Sequence, residues 1–328
     1  MAQEVEIKLE RAPLKPAKAE GIELGKNLDA AAGFRSIGLS CLRQILLNQE
    51  PLQRGDGEAL HQMRVGLRRL RAAISIFKSI LGDPETEAIK AQLRWLTEQL
   101  GPARDYDVLV AESIVPLQAS DTHCAELERL ETWVRDQHAH TLAQAQRAVA
   151  SPRFREIGLD TALWLFGGAW AHAPGQRRLR RRALASLARA ALAKRTHKLH
   201  KTLARLEGLD QGQRHRLRIA VKKLHYGTEF FSSLFPSHAA RRRRFVKVLK
   251  TLQDCLGKLN DIRIHADIAR EIVHPPDGVS ARAPGREEAF AIGLLRGAEQ
   301  AEAHQLVRTA VKARARLKQG SAFYATPR

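Results

Sequence analysis

No run of 18 apolar residues occurs in this 328-residue sequence, so no membrane-spanning helix is expected. The opening residues lack a charged-then-apolar leader, so a secretory signal is not expected and the cytoplasm is the expected compartment. Cysteine is scarce. Cys41, Cys124 and Cys255 are odd in number, far apart and without CxxC spacing, which argues against a disulfide or zinc framework and for reduced, buried thiols. Aromatic residues make up 5%, and none interleaves with the basic helix stripes described below to form a base-stacking platform. Strand-like alternation is nearly missing, with a hint only at Val5 to Leu9.

Acidic residues are also scarce in one half. Residues 1–150 carry 19 basic and 21 acidic side chains, whereas residues 151–328 carry 36 and 14, so the first half stands at −2 and the second at +22. Between Arg177 and Arg263, 24 bases face 5 acids. So one-sided a field attracts polyanions and speeds their capture. On charge alone, nucleic acid, an anionic membrane surface and inorganic polyphosphate all remain open.

What is present is helical periodicity. Apolar residues recur at three- and four-residue spacings, which predicts helices near 30–48, 57–81, 85–101, 104–118, 122–149, 153–171, 177–206, 211–235, 238–257, 260–272 and 286–318. Gly82-Asp83-Pro84, Gly101-Pro102, Pro174-Gly175 and the proline-bearing loop His274–Gly285 punctuate them. The expected fold class is all-α.

An internal repeat organises these helices. His61-Gln-Met-Arg64-Val-Gly-Leu-Arg68-Arg69-Leu-Arg71 aligns with His215-Arg-Leu-Arg218-Ile-Ala-Val-Lys222-Lys223-Leu-His225, 154 residues later. Leu93 to Asp105 aligns with Leu249 to Asp261 at an offset of 156, through Leu100-Gly101-Pro-Ala-Arg104-Asp105 and Leu256-Gly257-Lys-Leu-Asn260-Asp261. Asp56 and Asp210 precede their histidines by five residues and are expected N-caps. Two duplicated helical bundles about a pseudo-twofold axis are expected, residues 28–173 and 174–325, behind an extension over residues 1–27.

On a helical wheel His61, Arg64, Arg68 and Arg71 fall within about an 80° stripe. Leu60, Met63, Leu67, Leu70, Ile74 and Phe77 occupy roughly 160° to 260°. The cations therefore border the buried face, where an ordinary solvated stripe would oppose it. His215, Arg218, Lys222 and His225 take the same positions in the second copy. Arginine offers a planar fork to phosphate, lysine a point charge, and histidine a donor that gains charge near pH 6–7. One such helix is ordinarily just a solvated face. Recurrence of the same spacing makes anion binding the better reading. Lys194, Arg195, His197, Lys198 and Lys201, on the helix before His215, are candidates for a second wall, with Lys194, Arg195 and Lys198 the expected contacts. Asp105 and Asp261 read as helix caps after their Leu-Gly pairs. The runs Arg177–Arg182 and Arg241–Arg244 read as solvated patches that enlarge the field.

Through both H-x-x-R-x-x-x-[RK]-[RK]-L cores and both L-G-x-x-[RN]-D turns, over about residues 28–325, the chain resembles the CHAD family of histidine-containing α-helical domains. The resemblance implies two pseudo-symmetric antiparallel four-helix bundles enclosing a basic central channel. It also implies binding of inorganic polyphosphate and association with polyphosphate granules. It carries to His61, Arg64, Arg68, Arg69 and Arg71, and to His215, Arg218, Lys222 and Lys223. His225 departs from the family's usual arginine, which weakens the second stripe and adds pH dependence. Glu4-Val5-Glu6-Ile7-Lys8 is similar to the opening of CYTH domains, and Lys18 to Leu24 to the seam of such fusions. Only about 20 residues separate that opening from the first helix, too few for a CYTH barrel, so a remnant or extension is expected and no triphosphatase activity.

The expected function is non-catalytic polyphosphate binding in the cytoplasm and on granules, with nucleic acid as a non-specific competitor and no membrane partner. A nucleic-acid-binding protein is the alternative, although no groove-reading motif is evident. A phosphate-polymer hydrolase using His61 or His215 ranks below it, because no convincing carboxylate cluster accompanies either histidine. No cofactor, metal or catalytic residue is expected.

Overall fold

The computed structural model describes residues 15–119, 125–273, 286–320 and 323–324. Fourteen α-helices follow one another among them: α1 (Ala30–Leu47), α2 (Gln49–Gln53), α3 (Gly57–Ile76), α4 (Pro84–Gln99), α5 (Gly101–Leu109), α6 (Val115–Gln118), α7 (Ala125–Ala150), α8 (Pro152–Gly167), α9 (Ala169–His172), α10 (Arg177–Arg180), α11 (Leu184–Leu203), α12 (Gln211–Phe230), α13 (Ala239–Val273) and α14 (Arg286–Gly320). A π-helical turn, Val110–Ile114, joins α5 to α6. No strand occurs among the described residues, and no helix there is long and apolar enough to cross a membrane. The fold is all-α. Cys124, the Val5–Leu9 and Glu4–Lys8 segments and the loop His274–Gly285 lie outside the described residues.

Side-chain caps set the helix starts. Asp29 accepts from Ala32 N, Asp83 from Thr86 N, and Ser151 from Phe154 N. Asp56 accepts from the backbone of Glu58 and Ala59, and Asp210 forms a reciprocal capping box with Gln213. Each such cap contributes about 1 kcal/mol. Pro84 and Pro152 sit in first turns, where a missing N–H costs nothing.

Several boundaries depart from the sequence expectation. Helix α3 ends at Ile76, with Phe77 as its cap residue. The helix expected over 104–118 begins at Gly101, because Pro102 is tolerated only in a first turn. Leu100 closes α4 and opens α5. The expected break after Gly257 is absent, and α13 runs unbroken through it. Lys258 stands where the first copy has Pro102 and keeps its N–H for the helical ladder.

Phe34 is the hub of the main core, with Phe77, Trp164 and Trp170 all within 5.4 Å of it by ring centroid. A second, smaller core joins Leu109, Leu127, Leu130 and Val134 to Ile268, Ile292 and Leu295, tying α5 and α7 to α13 and α14. Cys41 and Cys255 are buried free thiols, and burial pushes Cys41 up to about 12.

Contacts between residues 152 to 156 apart join the two sequence repeats. Ala30 N donates to Arg182 O and Leu184 N to Leu28 O, both at 2.9 Å, around an isolated Asp29–Ala183 bridge. Phe77 and Phe231 meet with ring centroids 6.1 Å apart. The segment before α1 is docked, not loose: Asn48 exchanges hydrogen bonds with Ala17, and Leu24 N donates to Ser233 Oγ.

Gly66 sets how closely α1 lies on α3. A Cβ there would stand 2.8 Å from Ile45 Cγ1, 3.3 Å from Ile45 N and 3.4 Å from Cys41 O. Two of those atoms are backbone, so the helix itself would have to move. Gly66→Ala is expected to destabilise the fold by about 1–3 kcal/mol despite a better helix propensity. Thermal unfolding checks this, and an unchanged or raised Tm contradicts it.

Candidate anion-binding site

Helices α3 and α12 pack side by side and bring part of each basic stripe together. Arg64 and Arg218 occupy the centre, with side chains 16% and 19% exposed. Arg64 Nη2 lies 3.9 Å from Asp105 Oδ1, and Arg218 Nη2 lies 3.9 Å from Asp261 Oδ1. The expectation that these aspartates cap helices is corrected here. Asp105 lies within α5 and Asp261 within α13, each facing the arginine of its own copy.

At 3.9 Å the ion pairs are electrostatic and not hydrogen-bonded. Donors are therefore left over. Arg64 Nε and Nη1 and Arg218 Nε are buried with no hydrogen-bond partner among the described residues. An open buried donor on a charged group is costly unless a ligand completes it. Arg68 reaches across to the other copy, its Nε donating to Tyr226 Oη at 3.5 Å.

Crowding and burial shift the charges of this group. Burial brings Arg64 down to about 10; Asp105 opposes the shift, and Arg68, Arg104 and Arg218 add to it. Burial also lowers Arg218. Lys222 falls to about 7 through burial and then the repulsion of Arg218 and Arg68. His61 is lowered by burial and by Arg104 and Arg68. Asp105 is raised by burial, against the pull of Arg64. Neutralising this many cations from outside is the simplest relief available to the cluster.

The remaining candidates divide. Arg69 is 3% exposed, donates to Gln44 Oε1 at 2.8 Å and lies 5.5 Å over Phe230, so it serves the core and not the stripe. His225 Nε2 meets Glu229 Oε1 at 3.1 Å. His215 is exposed and its Nδ1 is 2.9 Å from Asn260 Oδ1, beside a 280 Å³ recess that Arg214, Arg263 and Arg296 help to line. Arg71, Lys194, Arg195, Lys198 and Lys223 gather on another side of α12. Arg104 and Asn260, absent from the sequence-derived set, attend the two histidines: Arg104 depresses His61, and Asn260 bonds His215. They occupy the same place in both L-G-x-x-[RN]-D motifs, which was the available signal. No group of three metal-ligating side chains occurs among the described residues.

The all-α fold matches a known class of domain. The CHAD domain pattern matches residues 36–270. The chain belongs to the CHAD family, which is linked to polyphosphate binding. Among solved structures, it is similar to the CHAD domain from the plant Ricinus communis, with 28% identity and a TM-score of 0.75 over 95% of this chain and 98% of that one. It also resembles in fold PptA from Streptomyces chartreusis, with 17% identity and a TM-score of 0.63 over 87% and 99% of the two chains. No curated protein matches the sequence.

Proposed function

We propose that this protein binds inorganic polyphosphate non-catalytically between α3 and α12. The observation that carries the reading is the set of open, buried guanidinium donors on Arg64 and Arg218, flanked by Arg68 and Lys222. An extended chain of phosphates places an anion every few ångströms and can satisfy several such donors at once. His61 and His215 then serve as additional donors at the edge of this group. Asp105 and Asp261 are occupied in holding the arginines, which leaves them poorly placed as bases for hydrolysis.

Two bundles, residues 28–173 and 174–325, flanking a basic channel fit the reciprocal contacts between the two sequence repeats. Targeting to polyphosphate granules follows if the site engages long chains in the cell.

Long-chain polyphosphate challenged with DNA and RNA at physiological salt tests the reading. Polyphosphate is expected to displace both nucleic acids, with affinity falling steeply as salt rises, by roughly 0.7 log units per neutralised phosphate for each tenfold rise in salt. A protein that keeps nucleic acid in the presence of polyphosphate is a nucleic-acid binder, and the proposal fails. Granule targeting is checked separately by the location of a fluorescent fusion, and a fusion that ignores granules removes that part.

A further inference from the structure

The two basic residues that follow one another in the second copy belong to different surroundings. Lys222 is repelled by Arg218, Arg68 and Arg64, whereas Lys223 is repelled by Arg195, Arg71, Lys90 and Lys198. The two sets share no residue. About 100° of helix separates neighbouring side chains, so α12 presents one lysine to the α3 stripe and the other to α11.

Lys223 opens onto a groove of about 530 Å³ between α11, α12 and the end of α3. Seven of its sixteen lining residues are cationic and none is acidic. Lys194, Arg195 and Lys198 come from α11, Arg216 and Lys223 from α12, and Lys78 from just past α3. Ile76, Ala191 and Ala220 contribute to an apolar floor, which raises the strength of any charge interaction above it.

Comparison with the first copy explains why this groove exists. Subtracting 154 places Arg195 at Cys41, Lys198 at Gln44, Lys223 at Arg69 and Ala220 at Gly66. In the first copy Gly66 admits close helix contact, Cys41 is fully buried, and Gln44 Oε1 accepts from Arg69. That position is sealed, and its one cation is held through Nη1 by the glutamine beside it. In the second copy a methyl group at Ala220 lines the gap between the helices, and three cations replace the cysteine, the glutamine and the arginine. Like charges gathered without a carboxylate are unfavourable unless an anion completes them.

We propose that this groove is a second anion site, separate from the Arg64–Arg218 cluster, and that it takes condensed phosphate. The inference rests on the reading that the chain binds polyphosphate, and each molecule then carries two phosphate-binding stations of different origin. A short probe that fills one station at a time reveals them.

The experiment is calorimetric titration of the full chain with inorganic tripolyphosphate. The wild type is expected to bind two equivalents. K194Q/K198Q/K223Q, which changes only exposed or half-exposed side chains, is expected to bind one, and so is R64Q/R218Q. R241Q/R243Q/R244Q removes the same number of charges from an exposed block elsewhere and is expected to retain two. Two equivalents on the groove variant overturn the inference. So does a single wild-type equivalent that is lost in R64Q/R218Q and kept in the groove variant, an outcome that leaves the proposed function standing. A wild type that ignores tripolyphosphate also overturns it, and the proposed function falls with it only if long-chain polyphosphate is ignored as well.

Discussion

Replacing Arg64 and Arg218 together with glutamine is expected to weaken long-chain polyphosphate binding by at least about 100-fold. Each arginine offers charge-assisted donors, and one such bond is worth roughly 1.5–3 kcal/mol. Losing one at each position amounts to about 3 kcal/mol or more, which corresponds to two decades or more of affinity. Helicity is expected to survive, because glutamine is a good helix former. Asp105 and Asp261 lose their nearest cations in this variant. Burial already raises Asp105, so it can take up a proton instead of standing as an unpaired buried anion. Equilibrium binding and far-UV circular dichroism check both halves of the prediction. A double variant that is folded and binds like wild type places the site elsewhere.

The second large effect is on pH. Lys222 sits near 7 in the free protein, held down by burial and by Arg218 and Arg68. A bound phosphate stabilises its charged form and moves it back toward the ordinary 10.5. Between those two values the complex holds a proton that the free protein lacks. Affinity must therefore fall as pH rises through that window, approaching a tenfold loss per pH unit where uptake is complete. Below about 7 the lysine is charged in both states and contributes no slope. His61, lowered in the free protein, adds uptake at lower pH. Calorimetry between pH 7 and 9 in buffers of different ionisation enthalpy measures the protons directly. Lys222→Arg should flatten the profile, since arginine stays charged throughout. A wild-type affinity that is constant over this range contradicts the assignment.

The amphipathic helices and the caps at Asp56 and Asp210 were readable because local chemistry decides them. So was the grouping of Arg64, Arg68, Arg218 and Lys222, whose spacing places them beside the core face. Arg69 and Lys223 were not separable from that group by family motif, although both lie about 120° from the stripe centre on the wheel. Their fates depend on what the neighbouring helix presents, Gln44 in one copy and Lys198 in the other. Asp105 and Asp261 were misread because a Leu-Gly pair resembles a helix end. In one copy Gly101 instead starts the next helix, and in the other Gly257 interrupts nothing. Proline on one side and lysine on the other decide that difference.

The 3.9 Å separation between each arginine and its aspartate has a further consequence for how a polymer is held. The carboxylates orient the guanidinium groups without occupying their donors, so little side-chain freedom is left to lose when a ligand arrives. Every phosphate in the chain is chemically the same as the next. A fixed row of donors therefore reads no sequence and favours no register. On the proposed function, the chain can advance by one unit and meet the same contacts again, so the protein can remain bound while the polymer slides.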